Sequence, residues 1–502
     1  MDPVIVLSRP NQERLQSISI QPSPVAAVQR ALQSLKGATD SSEALKASLE
    51  AFAALAKTSV DNNDDDVGIL EELAVVLGTD LRAHSRTDDA KAQASQSLAK
   101  EVRLGSLLIL CKSRGLRLDD ITLRSVTAYT DPGASWTTPE ASGIAQAILS
   151  ASLDEGRLDE FIASQILQDY LRPMFSQSST RAAPAGRPVK LTRAAVDIHQ
   201  GLDQPLWKAQ GEHVVSTFWW SVQKSTPKFI KNHWPLFIPV LLTMAEDQDA
   251  VTRKKGIDIL TTFIDKCPGS VIRNVGLDKV FQDAIFPSLL YLPSLTPEAE
   301  SVPLLQSAYK ALVKLAVDFW GPNNARRQQL LDKVLRDGII TGYDHASQYS
   351  GVVEVLMHNL GDILNALGIL SIKHLAPALT LISSVMRDPF MITQTHTVFA
   401  GSEALKAVIV NCWPRIVGKA QEGKIVNILS ISWLSLSDMN ISNKHSATET
   451  DRVTDSLITI SQMLQTLRKA CGANTPPEIM DIVQQQSQLQ ELFHPISATL
   501  PS

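Results

Sequence analysis

The residues closest to a chemical signature are Gly418-Lys-Ala-Gln-Glu-Gly423-Lys424-Ile425. They match a phosphate-cradling glycine loop at every place but the last, where Ile425 stands in place of the Ser or Thr whose hydroxyl holds Mg²⁺. Such a loop must follow a strand, and Val408–Val410 fits a helical stripe better, with Trp413-Pro414 intervening. The expected reading is a glycine-rich connection between helices. His345, His358 and His374 fall in one region, but no pair has H-x-x-x-H spacing or a Cys at metal-ligand distance. No G-x-S-x-G occurs, and none of Cys111, Cys267, Cys412 and Cys471 has a nucleophile context. The Asp119-Asp120 pair sits among turn or cap residues. No enzyme, cofactor or metal is expected.

Binding is better represented. In Asn411-Cys-Trp-Pro-Arg-Ile416 a large aromatic, a rigid Pro and an Arg fall at a helix end, and Trp and Arg are favoured interface anchors. Trp413 either anchors a partner with Arg415 or caps the core between helical hairpins. Lys373 and His374 stand at an expected helix entrance, where a surface role is predicted, and they join the candidate partner-binding residues. Tyr291-Leu-Pro-Ser-Leu-Thr-Pro297 reads as an exposed ridge or, equally, as a buried connector. The acidic run Asp61–Asp66 reads as a solvated loop.

The elements that position these residues are helical. In Trp234–Pro268, Leu236, Val240 and Met244 recur at every fourth place with Phe237 and Leu241 beside them, which lays an apolar stripe on one helix. Glu246–Asp249 supplies carboxylates to the start of the next helix, where the dipole favours them. That helix buries Ile257, Leu260 and Ile264 and is expected to leave Arg253 and Lys254 wet. Neither helix can bury its stripe alone, so a stack of hairpins is expected. An apolar-Pro-x-Leu pattern at Pro239 and Pro287, and more loosely at Pro377, has spacings of 48 and 90 residues. These approach one and two units of a ~40–47-residue HEAT or armadillo repeat. A shared proline kink would then set the curvature of the stack. Thr296-Pro297-Glu298 reads as a capped helix start, and Asp337-Gly338 and Asp388-Pro389 as turns.

The expected fold class is all-α, a HEAT/armadillo-like helical-repeat solenoid. Its expected parts are a flexible tail (1–23), an N-terminal helical region (24–175), a linker or long exposed loop (176–200), a HEAT-like domain (201–475) and a C-terminal helix and tail (476–502). Helices are predicted near 24–36, 43–57, 67–84, 88–114, 139–152 and 157–172. Seven of the eight tryptophans follow the linker, which places the better-specified core there.

The totals agree. A chain of 502 residues that is 44% hydrophobic and 20% charged is foldable and longer than one ordinary core. Only 5% is aromatic, which argues against sandwiches and barrels. A net charge of −5 without a Lys/Arg block argues against nucleic-acid binding. Scattered cysteines fit reduced thiols, and neither a secretory signal nor a long uninterrupted apolar run is present. A soluble intracellular protein is expected.

Several stretches, in their order, resemble the Tel-two-interacting protein, type two, family. They are Trp207-Lys208, Trp234-Pro235, Ile238-Pro-Val-Leu-Leu242, Gly276-Leu277, Val280-Phe281 and Tyr291–Glu298. Ser301, Leu304-Leu305, Ala308-Tyr309, Arg336-Asp-Gly-Ile339, Lys373-His-Leu375, Asp388-Pro-Phe390 and Cys412–Ile416 follow. The resemblance covers roughly 205–435. Glu246-Asp247 departs from an expected aspartate pair but keeps the charge, and the first 200 residues show no matching motif. The resemblance implies a non-enzymatic scaffold subunit of the TTT co-chaperone complex. It implies binding to the two larger solenoid subunits and action with the ninety-kilodalton heat-shock chaperone machinery on phosphatidylinositol-3-kinase-related kinases. It also implies a cytoplasmic and nuclear location, with no nucleic-acid or membrane partner. The alternative is another helical-repeat scaffold, of nuclear-transport or coat type.

Overall fold

The computed structural model describes residues 7–18, 24–38, 40–57, 64–82, 90–176, 205–209, 211, 213–441, 447–473, 481–482 and 484–493. Every regular element among them is a helix, and the fold is the all-α helical solenoid that the periodicity requires. The chain divides into two compact units, Met1–Val240 and Leu241–Ser502.

The first unit contains α1 (Arg9–Gln16), α2 (Pro24–Gly37), α3 (Ser41–Lys57), α4 (Asp64–Arg82), α5 (Ala90–Arg114), α6 (Asp120–Thr127) and α7 (Pro139–Ser152). Next come α8 (Glu155–Glu160), which runs into a π-helix (Phe161–Leu171), then α9 (Arg172–Ser176), α10 (Leu206–Ala209), α11 (His213–Lys224) and most of α12 (Pro227–Ala245). The predicted helices are present, with 157–172 divided between α8 and the π-helix. Asp119 accepts from the Thr122 amide and caps α6, the role expected of it, while Asp120 pairs with Arg157 at 2.8 Å. Thr138 caps α7 ahead of Pro139.

This unit has a core of its own, and because it runs on to Val240 it holds five of the eight tryptophans. Val102, Leu104, Leu107 and Leu110 of α5 are completely buried between α3 and α7. Part of the expected tail is also structured. Buried Glu101 of α5 accepts from the Ser8 amide (2.7 Å), the Ser8 hydroxyl (2.8 Å), Asn11 Nδ2 (3.0 Å) and Thr138 Oγ1 (2.6 Å). A buried carboxylate needs such donors, and here they fix α1 and the start of α7 to α5. The expected linker falls almost wholly outside the described residues, and the division between units lies within α12 instead.

The second unit continues with α13 (Ala250–Lys266), α14 (Gly269–Val275), α15 (Leu277–Ile285), a 3₁₀ turn (Phe286–Leu290), α16 (Glu298–Phe319) and α17 (Ala325–Lys333). A π-helix (Val334–Ile340), α18 (Thr341–Ala346), α19 (Ser350–Leu367), a 3₁₀ segment (Gly368–His374), α20 (Leu375–Met386) and α21 (Pro389–Ile392) follow. The unit ends with α22 (Thr395–Cys412), a 3₁₀ turn (Trp413–Arg415), α23 (Ala420–Ile441), α24 (Ala447–Ala470) and α25 (Leu489–Leu492). Ser350–Met386 is long and apolar enough to cross a membrane by composition. Here it is α19, a 3₁₀ segment and α20, interrupted at Gly368 (φ 56°, ψ −135°), and α19 packs between α16 and α22.

The hairpin that the acidic turn was expected to join is present as α12 and α13. Asp249 accepts from the Thr252 amide at 2.8 Å and caps α13. Arg253 is not wet. It is buried, donates from Nε to the Asp247 carbonyl at 2.8 Å, and sets its guanidinium 4.7 Å from the Tyr291 ring centre. The three prolines do not share a kink: Pro239 is inside α12, Pro287 begins a 3₁₀ turn, and Pro377 sits in the first turn of α20, where no helical bond is lost. Asp337-Gly338 lies in the π-helix rather than a turn, packed so closely that a Cβ on Gly338 would lie 2.9 Å from Leu289. α16 begins at Glu298, one residue later than predicted, and buried Thr296 does not cap it.

The hairpin closes tightly at Gly256, where a Cβ would lie 2.5 Å from the Met244 backbone carbonyl carbon. Helix propensity alone favours Ala here, so the two effects have opposite signs and overpacking is the larger. Gly256→Ala is expected to lower stability by about 1–3 kcal/mol, read as a lower urea midpoint at unchanged slope.

Candidate functional site

The four candidate residues lie on two segments of the second unit. Trp413-Pro414-Arg415 is the 3₁₀ turn that ends α22, and all three side chains are exposed, with Trp413 at 41%. Cys412 and Ile416 on either side are fully buried, so the turn is held at both ends and projects its middle. Trp413 is therefore not the cap of the core that one reading proposed. Arg415 has no ion pair among the described residues.

Lys373 and His374 end the 3₁₀ segment before α20. Both point to Asp332 of α17: Lys373 Nζ is 2.5 Å from Oδ2, and His374 Nε2–H donates to Oδ1 at 2.7 Å. The expected surface role fails for His374, which is 8% exposed. Partial burial opposes ionisation of Asp332, yet the hydrogen bonds from His374 and Lys373 hold its carboxyl below the ordinary 3.8. The pair is thus consumed in fastening the 3₁₀ segment to α17. Lys373 keeps an exposed flank.

The two segments are joined side by side. Ser371 Oγ lies 3.1 Å from Cys412 Sγ, and Asn411 Nδ2 donates to Asn365 Oδ1 at 2.9 Å. No hydrogen bond or ring contact links Trp413 or Arg415 to Lys373 or His374 among the described residues. Two further apolar side chains are exposed on the same segments, Val410 at 55% and Ile369 at 57%. The sequence signal for Val410 was present, since it interrupts the buried stripe of Leu405, Val408, Ile409 and Cys412. Asp332 lies 41 and 42 residues from its partners and carried no local signal. In Tyr291–Pro297 both readings hold in part: Leu292 is buried and Leu295 is 89% exposed.

Chemistry is poorly served elsewhere. Gly418 is left-handed (φ 67°), and its N–H donates to Glu422 Oε2 at 2.7 Å, so the loop's amide serves the chain's own carboxylate. Glu422 is buried and also accepts from both Arg468 Nε (2.8 Å) and Nη2, and Ile425 is fully buried. The phosphate-cradling geometry is not formed. Burial pushes the thiols of Cys111 and Cys267 up to about 11 and about 12, away from nucleophile values. Among the described residues no three His, Cys, Asp or Glu side chains are grouped to hold a metal.

A model of the Tti2 family matches residues 122–393, more than half of the chain. The chain belongs to the Tti2 family. Membership makes it a component of the TTT complex, from a family of co-chaperone-complex subunits rather than enzymes. The match reaches back to Thr122, so it takes in α6–α9, where no motif was legible, and it stops before Trp413. No curated protein matches the chain significantly. Among solved structures, a crystal structure of an engineered protein is similar at 13% identity over 93% of this chain and 97% of that one, with a TM-score of 0.37, too low to carry an argument.

Two measurements separate framework from surface. Trp413→Ala is expected to change stability by less than about 1 kcal/mol, as for an exposed side chain, with an unchanged thermal midpoint as the check. Asp332→Asn is expected to cost about 1–2 kcal/mol near neutrality. Because the folded carboxyl titrates below its unfolded value, its stabilisation is complete above 3.8 and is lost as pH falls through the folded value. The urea midpoints of wild type and variant should therefore converge in acid.

Proposed function

We propose that this Tti2-family chain is a non-enzymatic scaffold that supports folding and assembly of phosphatidylinositol-3-kinase-related kinases with the ninety-kilodalton heat-shock chaperone machinery. It does so by binding the larger solenoid subunits of the TTT complex. Family membership over residues 122–393 carries this reading. The helical fold supports it, since stacked hairpins present long side-chain surfaces without a reaction centre. The exposed turn Trp413-Pro414-Arg415, with Val410 on the preceding helix turn and Ile369 on the joined segment, is the partner surface in this proposal. A rigid turn with an exposed aromatic, an exposed Arg and neighbouring apolar side chains has the composition of an interface centre. The reading places the protein in cytoplasm and nucleus.

Purification of the tagged chain from its own cells, with quantification of stoichiometric partners, tests the proposal. Recovery of two larger helical-repeat subunits with kinase-related clients is expected. Recovery of transport receptors or coat proteins in their place would overturn it. Arg415→Glu should reduce partner recovery at least about fivefold, the effect of losing a central charged contact worth ~1 kcal/mol or more, while its melting temperature stays at the wild-type value. A variant that keeps full recovery would remove this turn from the interface.

A further inference from the structure

We propose that the cleft between α20 and α23 is a binding site for a phosphoryl group. The cleft has a volume of about 530 Å³ and is lined from one side by Thr380, Ser383, Ser384 and Arg387, and from the other by Ala420, Gly423, Lys424 and Asn427. Each set follows helical spacing, so one face of each helix forms one wall. Ser432 Oγ of α23 donates to the Met386 carbonyl at 2.8 Å and fixes the walls beside Arg387. The opening is set by small residues: a Cβ on Gly423 would meet nothing within 4 Å.

The lining is suited to a dianion. It contributes one cation from each wall, Arg387 and Lys424, and no carboxylate. Neither cation has an ion pair among the described residues, and neither Ser383 Oγ nor the Asn427 amide has a hydrogen-bond partner there. Asp388, the nearest carboxylate in sequence to Arg387, accepts from the Phe390 amide at 2.8 Å and belongs to the next turn. Thr380 and Ser384 donate to carbonyls one turn back, both at 3.0 Å, so the donors left for a ligand are the two cations, Ser383 and Asn427. A phosphoryl dianion balances the charge of the two cations and supplies acceptors for the Ser and Asn donors, where a monoanionic carboxylate leaves one positive charge uncompensated. Lys424 thus leaves the unformed glycine loop for a different anion site.

Two sources share this chemistry, a free small phosphate and a phosphorylated side chain of a partner, and inorganic pyrophosphate and a short phosphoserine peptide are the respective probes. Isothermal titration calorimetry on the full chain at fixed ionic strength is expected to show binding of at least one, with no binding of the unphosphorylated peptide. The tighter probe identifies the source. Arg387→Ala and Lys424→Ala should each weaken that binding about tenfold or more, the loss of one charge-assisted contact. Gly423→Leu, which enters open space on a helical backbone, should block the cleft while the protein melts as wild type. Binding of neither probe, or full binding retained by both the cation variants and Gly423→Leu, would overturn the proposal.

Discussion

The second unit depends on how closely α22 can be approached. This helix packs against α19, α20 and α24, and most of its residues are buried, so its packed faces leave little room for large side chains. Small residues make that possible. Gly361 of α19 passes the Ala404 backbone at a distance where a Cβ would stand 3.5 Å from the Ala404 Cα, and Gly401 leaves room for Met386, which a Cβ would meet at 3.0 Å. Ser402 and Ser456 share a buried hydrogen bond of 2.7 Å, and Ser456 Oγ also lies 3.3 Å from Glu403 Oε1, which pairs α22 with α24. Interiors at this density transmit position well. The end of α22 is therefore fixed, and with it the turn that carries Trp413, Pro414 and Arg415.

Three carboxylates of this molecule act as fastenings. Glu101 gathers donors from the residues before α1, from α1 itself and from the start of α7; Asp332 gathers Lys373 and His374; Glu422 gathers Arg468 and the Gly418 amide. Each carboxylate is satisfied several times, which is the condition for burying Glu101 and Glu422. The consequence for function is subtractive. Residues that looked available for chemistry or binding, such as His374 and the glycine loop, are occupied by the fold. Arg415, Arg387 and Lys424 are among the cations that face solvent without an ion pair among the described residues, and they are the ones the two proposed surfaces use.

Much of this was legible from spacing. The helix stripes, the Asp119 cap and the acidic turn before α13 follow from local rules that need only neighbours within a few residues. The family resemblance was legible in ordered motifs from Trp207 onward. The packing of α1 was not, because the signals that tie it down are Ser8 and Asn11 on one side and Glu101, 90 or more residues away, on the other. Arg253 failed for the same reason: its helical position reads as wet, but Tyr291 covers it from another element.

The sequence by itself determined that this chain is all-α, that its helices must stack in pairs, and that no common catalytic or metal constellation is written in it. Those are properties of composition and period, and period is local. Only the tertiary structure decided which polar residues remain free. Whether His374 is buried and Trp413 exposed depends on what the next helix places beside each. The repeated proline pattern makes the same point: similar local sequence at Pro239 and Pro287, and more loosely at Pro377, came to rest in a helix interior, a 3₁₀ turn and a first helical turn. A proline's effect is set by whether its missing N–H would have been bonded, and that depends on where the packed helix begins.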